Sequence, residues 1–205
     1  MKRAKGRNRG GLCFFVLGLV LAASPARAEL GDNSVGMNIH VGYPAHIDAA
    51  ADLGVGWVRM DANWYQIETA DDVHNWSSLD AWVAAAHAAG LKVYLTLAYT
   101  PEWVPREAGA DGLFHNDAPQ SSTEWVDFVT DVVNRYCPQG VTHFGIWNEP
   151  NLEQFWDGSL EQYVDRILIP GAAAVRSACA ACGGTCKVLG PDLANVGDCD
   201  VYLED

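Results

Sequence analysis

Short β-forming runs alternate with helical stretches along this chain, and that alternation constrains the fold more than any other feature. Residues 35–40 and 55–61 read as strands, separated by a helix over 45–53 that Pro44 opens and Gly54 closes. A helix over 79–89, apolar at 79, 82, 83 and 86 and capped by Ser77 or Ser78, leads to a third strand over 91–98. Ser122 or Thr123 caps the next helix, where Trp125, Phe128, Val129, Val132, Val133 and Tyr136 form one apolar stripe. A fourth strand over 141–147, a long helix over 160–180 distorted at Pro170-Gly171, and a fifth strand over 187–190 complete the pattern. Alternation with short connections predicts an α/β fold of right-handed βαβ units, with a parallel sheet buried on both faces.

The strand ends are chemically unequal. Polar and aromatic residues collect at the carboxyl ends: Asn38 and His40, Arg59 and Asp61, Tyr99 to Trp103, and Trp147 to Asn151. The amino ends are bland. A (β/α)8 barrel places its active site on the carboxyl face. A doubly wound sheet also binds at strand carboxyl ends, but usually with a Gly-rich phosphate loop after its first strand. The segment after strand one, Val41-Gly-Tyr-Pro-Ala45, contains no such loop, which argues against a phosphate-handling enzyme.

Charge and targeting narrow the function further. The chain has 205 residues, 26 of them acidic and 13 basic, for a formal charge of −13. Six of the basic residues lie in the first 28, so the remainder is more acidic still, which disfavours nucleic acid and anionic membrane surfaces as partners. The first 28 residues combine an early basic cluster, an apolar run over 12–23 and the small-residue pattern Ala26-Arg27-Ala28. This is the layout of a cleaved secretory signal. A helix of twelve residues would span only ~18 Å of a ~30 Å hydrocarbon layer, too little for an anchor. The expectation is a secreted or periplasmic protein, cut at about Ala28, with residues 29–205 as the mature domain. In such a compartment Cys137, Cys179, Cys182, Cys186 and Cys199 read as disulfide formers. Cys179-x-x-Cys182 has zinc-knuckle spacing, but closed zinc sites usually show two knuckles and only one is present. Cys137 follows the helix after strand three, and Cys179, Cys182 and Cys186 follow the helix after strand four. These four should meet at the amino end of the sheet and form two disulfides, leaving Cys199 outside the pairing.

The segment that bears chemistry is Trp147-Asn148-Glu149-Pro150-Asn151. An amide there can bond a sugar hydroxyl and an indole can face a pyranose ring. A partly desolvated carboxyl can keep a proton and give it to a glycosidic oxygen. Neighbours in a regular strand face opposite ways, so Asn148 and Glu149 can share a site only if the strand kinks or stops between them. Pro150 is expected to hold Glu149 extended.

Together with Gly56-Trp-Val-Arg-Met-Asp61 and Tyr99-Thr-Pro-Glu-Trp103, the run Ile146-Trp-Asn-Glu-Pro-Asn151 resembles the clan A glycoside hydrolases. The chain looks most like family 39 and related secreted endoglycosidases, with family 5 cellulase-like enzymes second. That resemblance, over about residues 35–194, implies a TIM barrel and a retaining mechanism. Glu149 would be the acid/base and Asn148 the contact to the sugar 2-hydroxyl. Arg59 would orient the nucleophile, His40 would face the sugar cleft, and Trp103 and Trp147 would be sugar platforms. Trp64, Trp76, Trp82 and Trp125 read as structural, and Glu102 as a carboxylate outside the catalytic pair. The other histidines show no metal spacing, and neither metal nor cofactor is implied.

Five strands are legible before Asp205, where a barrel has eight. The clan's nucleophile is a Glu at the end of strand seven, and no residue here corresponds to it. The chain thus reads as the amino-terminal part of a secreted retaining glycosidase acting on a plant-type polysaccharide or exopolysaccharide, inactive alone. The alternatives are a non-catalytic sugar-binding fragment or pseudoenzyme, and a four-cysteine metal or redox module on an α/β domain.

Overall fold

The computed structural model describes residues 33–109 and 111–195. The signal-like segment and Cys199 lie outside these residues.

Five parallel strands form the sheet: β1 (Gly36–His40), β2 (Trp57–Asn63), β5 (Lys92–Ala98), β8 (His143–Ile146) and β9 (Lys187–Leu189), hydrogen-bonded in chain order. Helices α1 (Pro44–Asp52), α3 (Ser77–Ala88) and α4 (Thr123–Tyr136) make the crossovers. The last crossover is α5 (Leu160–Tyr163), a π-helical turn (Val164–Leu168) and α6 (Ile169–Ala181). Sequential neighbours with parallel pairing are the order of a βα barrel rather than of a doubly wound sheet, which reverses direction.

Alternation along the strands separates two faces. Val58, Met60, Leu95, Leu97, Phe144 and Ile146 are fully buried toward the helices. Trp57, Arg59, Tyr94 and His143, at alternate positions, line a cavity of about 480 Å³ on the other side, the barrel interior. Each of the six stripe residues of α4 is buried, at about 1.5–3 kcal/mol for a large apolar side chain. Trp125 also donates its indole N–H to the Ile167 carbonyl at 2.9 Å. That carbonyl belongs to the π turn. Pro170 has no N–H to give the carbonyl of Arg166, and the helix widens just before it.

Several local expectations are corrected. β2 runs two residues past Asp61, and a short helix α2 (Trp64–Ile67) and a hairpin of β3 (Glu68–Ala70) and β4 (Val73–His74) precede α3. A second hairpin, β6 (Arg106–Glu107) with β7 (Ala118–Pro119), occupies the connection from β5 to α4, so that connection is not short. Ser77 is the first residue of α3 rather than its cap. Asn75 Oδ1 accepts from the Ser77 backbone N–H and hydroxyl instead, at 3.3 and 2.6 Å. Ser122 precedes α4 without capping it through its side chain. The disulfides are Cys137–Cys182 and Cys179–Cys186. They tie the turn after α4 to the end of α6 and the approach to β9, at the amino end of the sheet.

Candidate active site

Backbone strain marks the carboxyl face. Among the described residues, five non-glycine positions have positive φ: His40 (48°), Asp72 (57°), Tyr99 (79°), Trp147 (70°) and Glu149 (45°). Asp72 turns the β3–β4 hairpin. The other four stand where β1, β5 and β8 end. Such conformations cost roughly 1–3 kcal/mol each and persist where surrounding structure imposes them.

At β8 the strain solves a geometric problem. The strand ladder runs on to the Trp147 N–H, which bonds the Leu97 carbonyl at 2.9 Å, and then the chain turns left-handed. Asn148 and Glu149 are thereby released from strand alternation. Glu149 is not extended as Pro150 implied. Proline penalises the right-handed helical region for its predecessor, and the left-handed turn is held by the Glu149 N–H bonding the Asp192 carbonyl at 2.7 Å. Two bonds between Asn151 and Ala194, each 2.9 Å, close the same junction. The β8 turn and the segment after β9 thus form one unit.

Arg59 centres the side-chain network. It is 14% exposed, rising from β2 inside the barrel. Its Nη2 donates to Asn148 Oδ1 at 2.8 Å, and its Nε donates to Asp192 Oδ2 at 3.2 Å. Its Nη1 lies 3.7 Å from Asp61 Oδ1. The Tyr94 hydroxyl donates to Asp192 Oδ2 at 2.5 Å, and burial followed by this anionic partner pushes the Tyr94 phenol up. His40 Nδ1 sits 2.9 Å from Asp61 Oδ2, with the ring 57% exposed. Tyr99 accepts from the Asn148 amide; burial, then the Asp61 charge, pushes its phenol up to about 12, so it stays neutral. Asn148 is buried with its oxygen fixed by Arg59, and Glu149 is half-buried beside it.

The structure brings Arg59, Asn148, Glu149 and His40 to one face, together with Asp61 and Tyr99. It does not give Trp147 a platform face. That indole is 0% exposed, with N–H bonded to the Phe155 carbonyl at 2.8 Å and its ring against Trp125 and Trp156. The left-handed turn at Trp147 sends the side chain into the core. Trp103 is half-buried, anchored by its N–H to the Glu68 carbonyl at 2.9 Å, and lines a groove with Tyr65, Glu102 and Phe114. Glu102 is exposed on that groove. Tyr94 and Asp192 were missed. Asp192 follows the fifth strand's carboxyl end, so the strand-end rule applied one strand further would have found it. Among the described residues, the groups with ligand atoms close enough to share a metal ion are Glu68, Asp71 and Asp72, and Cys137, Cys179 and Cys186. Neither includes a residue of this network.

An amide and a carboxyl thus stand together at the end of the fourth parallel strand, above an arginine from the second, on the carboxyl face of a TIM-barrel-type sheet. Residues 42–192 match Glycosyl hydrolases family 39, and the chain belongs to that family. It is 32% identical over 85 residues to a beta-xylosidase of Caldicellulosiruptor saccharolyticus, covering 36% of this chain and 17% of that protein. The fold is similar to a glucosidase from Croceicoccus marinus, with a TM-score of 0.58 and 19% identity, over 82% of this chain and 39% of the other. It is also similar to a family 39 glycoside hydrolase from Bacteroides cellulosilyticus, with a TM-score of 0.56 and 16% identity, over 77% and 31% respectively. The chain therefore spans well under half the length of these relatives.

Proposed function

We propose that this chain carries the acid/base side of a retaining glycosidase site, in an exported enzyme that cleaves β-linked plant-type polysaccharide or exopolysaccharide. The observation that carries the reading is the left-handed turn at β8, which presents Glu149 beside an Asn148 already bound to Arg59. In this reading Asn148 and Tyr99 hold sugar hydroxyls, and His40 borders the sugar from β1. Glu149 gives its proton to the glycosidic oxygen as the bond breaks, then takes one from the attacking water. The covalent step needs a second carboxylate about 5–5.5 Å away, which the clan supplies from strand seven. Asp192 is not given that part, because it follows the fifth strand rather than the seventh. The name of one relative, a beta-xylosidase, supports a β-linked pyranoside. The basic and apolar start of the sequence and the two disulfides support export. Titrating the chain with a xylo-oligosaccharide and a cello-oligosaccharide, followed by amide NMR, tests the placement. Shifts should centre on residues 38–40, 99 and 147–149. Shifts confined to other surfaces would remove the basis for this site.

A further inference from the structure

The sequence offers one zinc knuckle, Cys179-x-x-Cys182, and no second. The fold supplies what the sequence lacks. The turn after α4 delivers Cys137, the end of α6 delivers Cys179 and Cys182, and the approach to β9 delivers Cys186. The two disulfides are in contact, with Cys137 Sγ 4.0 Å from both Cys179 Sγ and Cys186 Sγ. Gly184 closes the bend around them. A Cβ there would lie 2.8 Å from Cys137 Sγ and 3.2 Å from the Sγ of Cys179 and of Cys182, so three of the four sulfurs surround a position that only glycine fits.

A tetrahedral zinc thiolate, with bonds of about 2.3 Å, sets its sulfurs about 3.8 Å apart. The separations from Cys137 to Cys179 and to Cys186, 4.0 Å each, already have that spacing and put these three sulfurs within reach of one ion, while Cys182 is held next to them by its bond to Cys137. We propose that the four cysteines are one site with two states: two disulfides when oxidised, and a tetrathiolate for a single Zn²⁺-class cation when reduced by a dithiol or phosphine. Each disulfide takes two electrons and two protons to give two thiols. A dithiol reductant is oxidised to its own disulfide, and a phosphine to its oxide with water supplying the oxygen. The cation then displaces four thiol protons and forms four metal–sulfur bonds, leaving a dianionic centre. Each disulfide joins a buried sulfur, Cys137 or Cys179, to a partly buried one, Cys182 or Cys186, so the reductant enters at Cys182 and Cys186. In either state the same three segments stay tied at the base of the barrel.

The test uses the full chain, reduced with a phosphine under argon and alkylated with or without one equivalent of Zn²⁺, with each cysteine read by mass spectrometry. Zinc should slow alkylation of Cys137, Cys179, Cys182 and Cys186 together by roughly tenfold or more, at one metal per chain, with Cys199 as the reference thiol. Co²⁺ in place of Zn²⁺ should give the visible absorption of a tetrahedral thiolate site. Cys137→Ser should remove the protection of the other three. Equal alkylation with and without zinc overturns the proposal. So does full protection of Cys179, Cys182 and Cys186 in Cys137→Ser, because the loop alone would then be the site and the fold's contribution of Cys137, 42 residues away, would be irrelevant.

Discussion

Asp192 joins the segment after β9 to the network at the strand ends, and its removal has a calculable cost. Asp192→Ala deletes the acceptor for the Tyr94 hydroxyl and for the Arg59 Nε. Hydrogen bonds to a charged group are worth about 1.5–3 kcal/mol, and breaking a fully buried ion pair costs about 3–5 kcal/mol. Asp192 is 28% exposed and Arg59 keeps Asn148 and Asp61, so the lower part of this range applies, about 2–3 kcal/mol. At about 2–4 °C per kcal/mol for a domain of this size, the melting temperature should fall by about 5–10 °C. Tyr94→Phe removes one donor and should cost about 1 kcal/mol. Both substitutions act on the same bond, so the double variant should melt close to Asp192→Ala alone. The assay is thermal denaturation followed by circular dichroism on the four proteins in one buffer. A shift under ~2 °C for Asp192→Ala, or strict additivity with Tyr94→Phe, would refute the network.

The remaining predictions separate roles that look alike in sequence. Trp147→Ala should destabilise by about 3–5 kcal/mol in a melt, as a large core truncation, whereas Trp103→Ala should weaken oligosaccharide binding in calorimetry with a much smaller loss of stability. Asp80 accepts from Arg135 Nε at 2.8 Å and from the Tyr136 hydroxyl at 3.0 Å, and the Arg135 bond lowers its carboxyl below the ordinary 3.8. A depressed carboxyl stabilises the fold above its unfolded value, and that contribution is lost as pH falls through the lower folded value. Asp80→Asn should thus cost under ~1 kcal/mol at neutral pH, since the pair is over a third exposed, and nothing in acid once the wild-type carboxyl is protonated. Melting curves of the two proteins across pH check both sign and size.

What the sequence made legible follows from which signals are local. The α4 stripe was readable because a 3.6-residue period maps directly onto one buried face, and all six positions are buried. The strand-end rule located His40, Arg59, Asn148 and Glu149, because the barrel's carboxyl face follows from parallel order alone. The hairpins β3–β4 and β6–β7 were invisible, since strands of two or three residues carry no period. Trp147 was misread because residue type does not say which way a left-handed turn points a ring. Asp192 gains its meaning from an arginine 133 residues away, and no local pattern encodes that contact. That Cys137, Cys179, Cys182 and Cys186 form two disulfides among themselves was reachable because the crossovers place the four residues together, whereas which pairs with which depends on side-chain detail.

The central claim is that Glu149 protonates the leaving group and later activates water, and the most direct test is Glu149→Ala in the protein extended to include the seventh-strand carboxylate. General acid–base catalysis is typically worth ~10²–10⁴ in rate, so cleavage of natural glycosides should fall by about that factor. An aryl glycoside with a good leaving group should still form the glycosyl-enzyme quickly and then stall. Azide, which needs no base, should restore turnover and give a glycosyl azide of retained configuration. Equal, modest losses on natural and activated substrates, with no response to azide, would contradict the assignment and leave Glu149 a sugar contact or a support for the strand end.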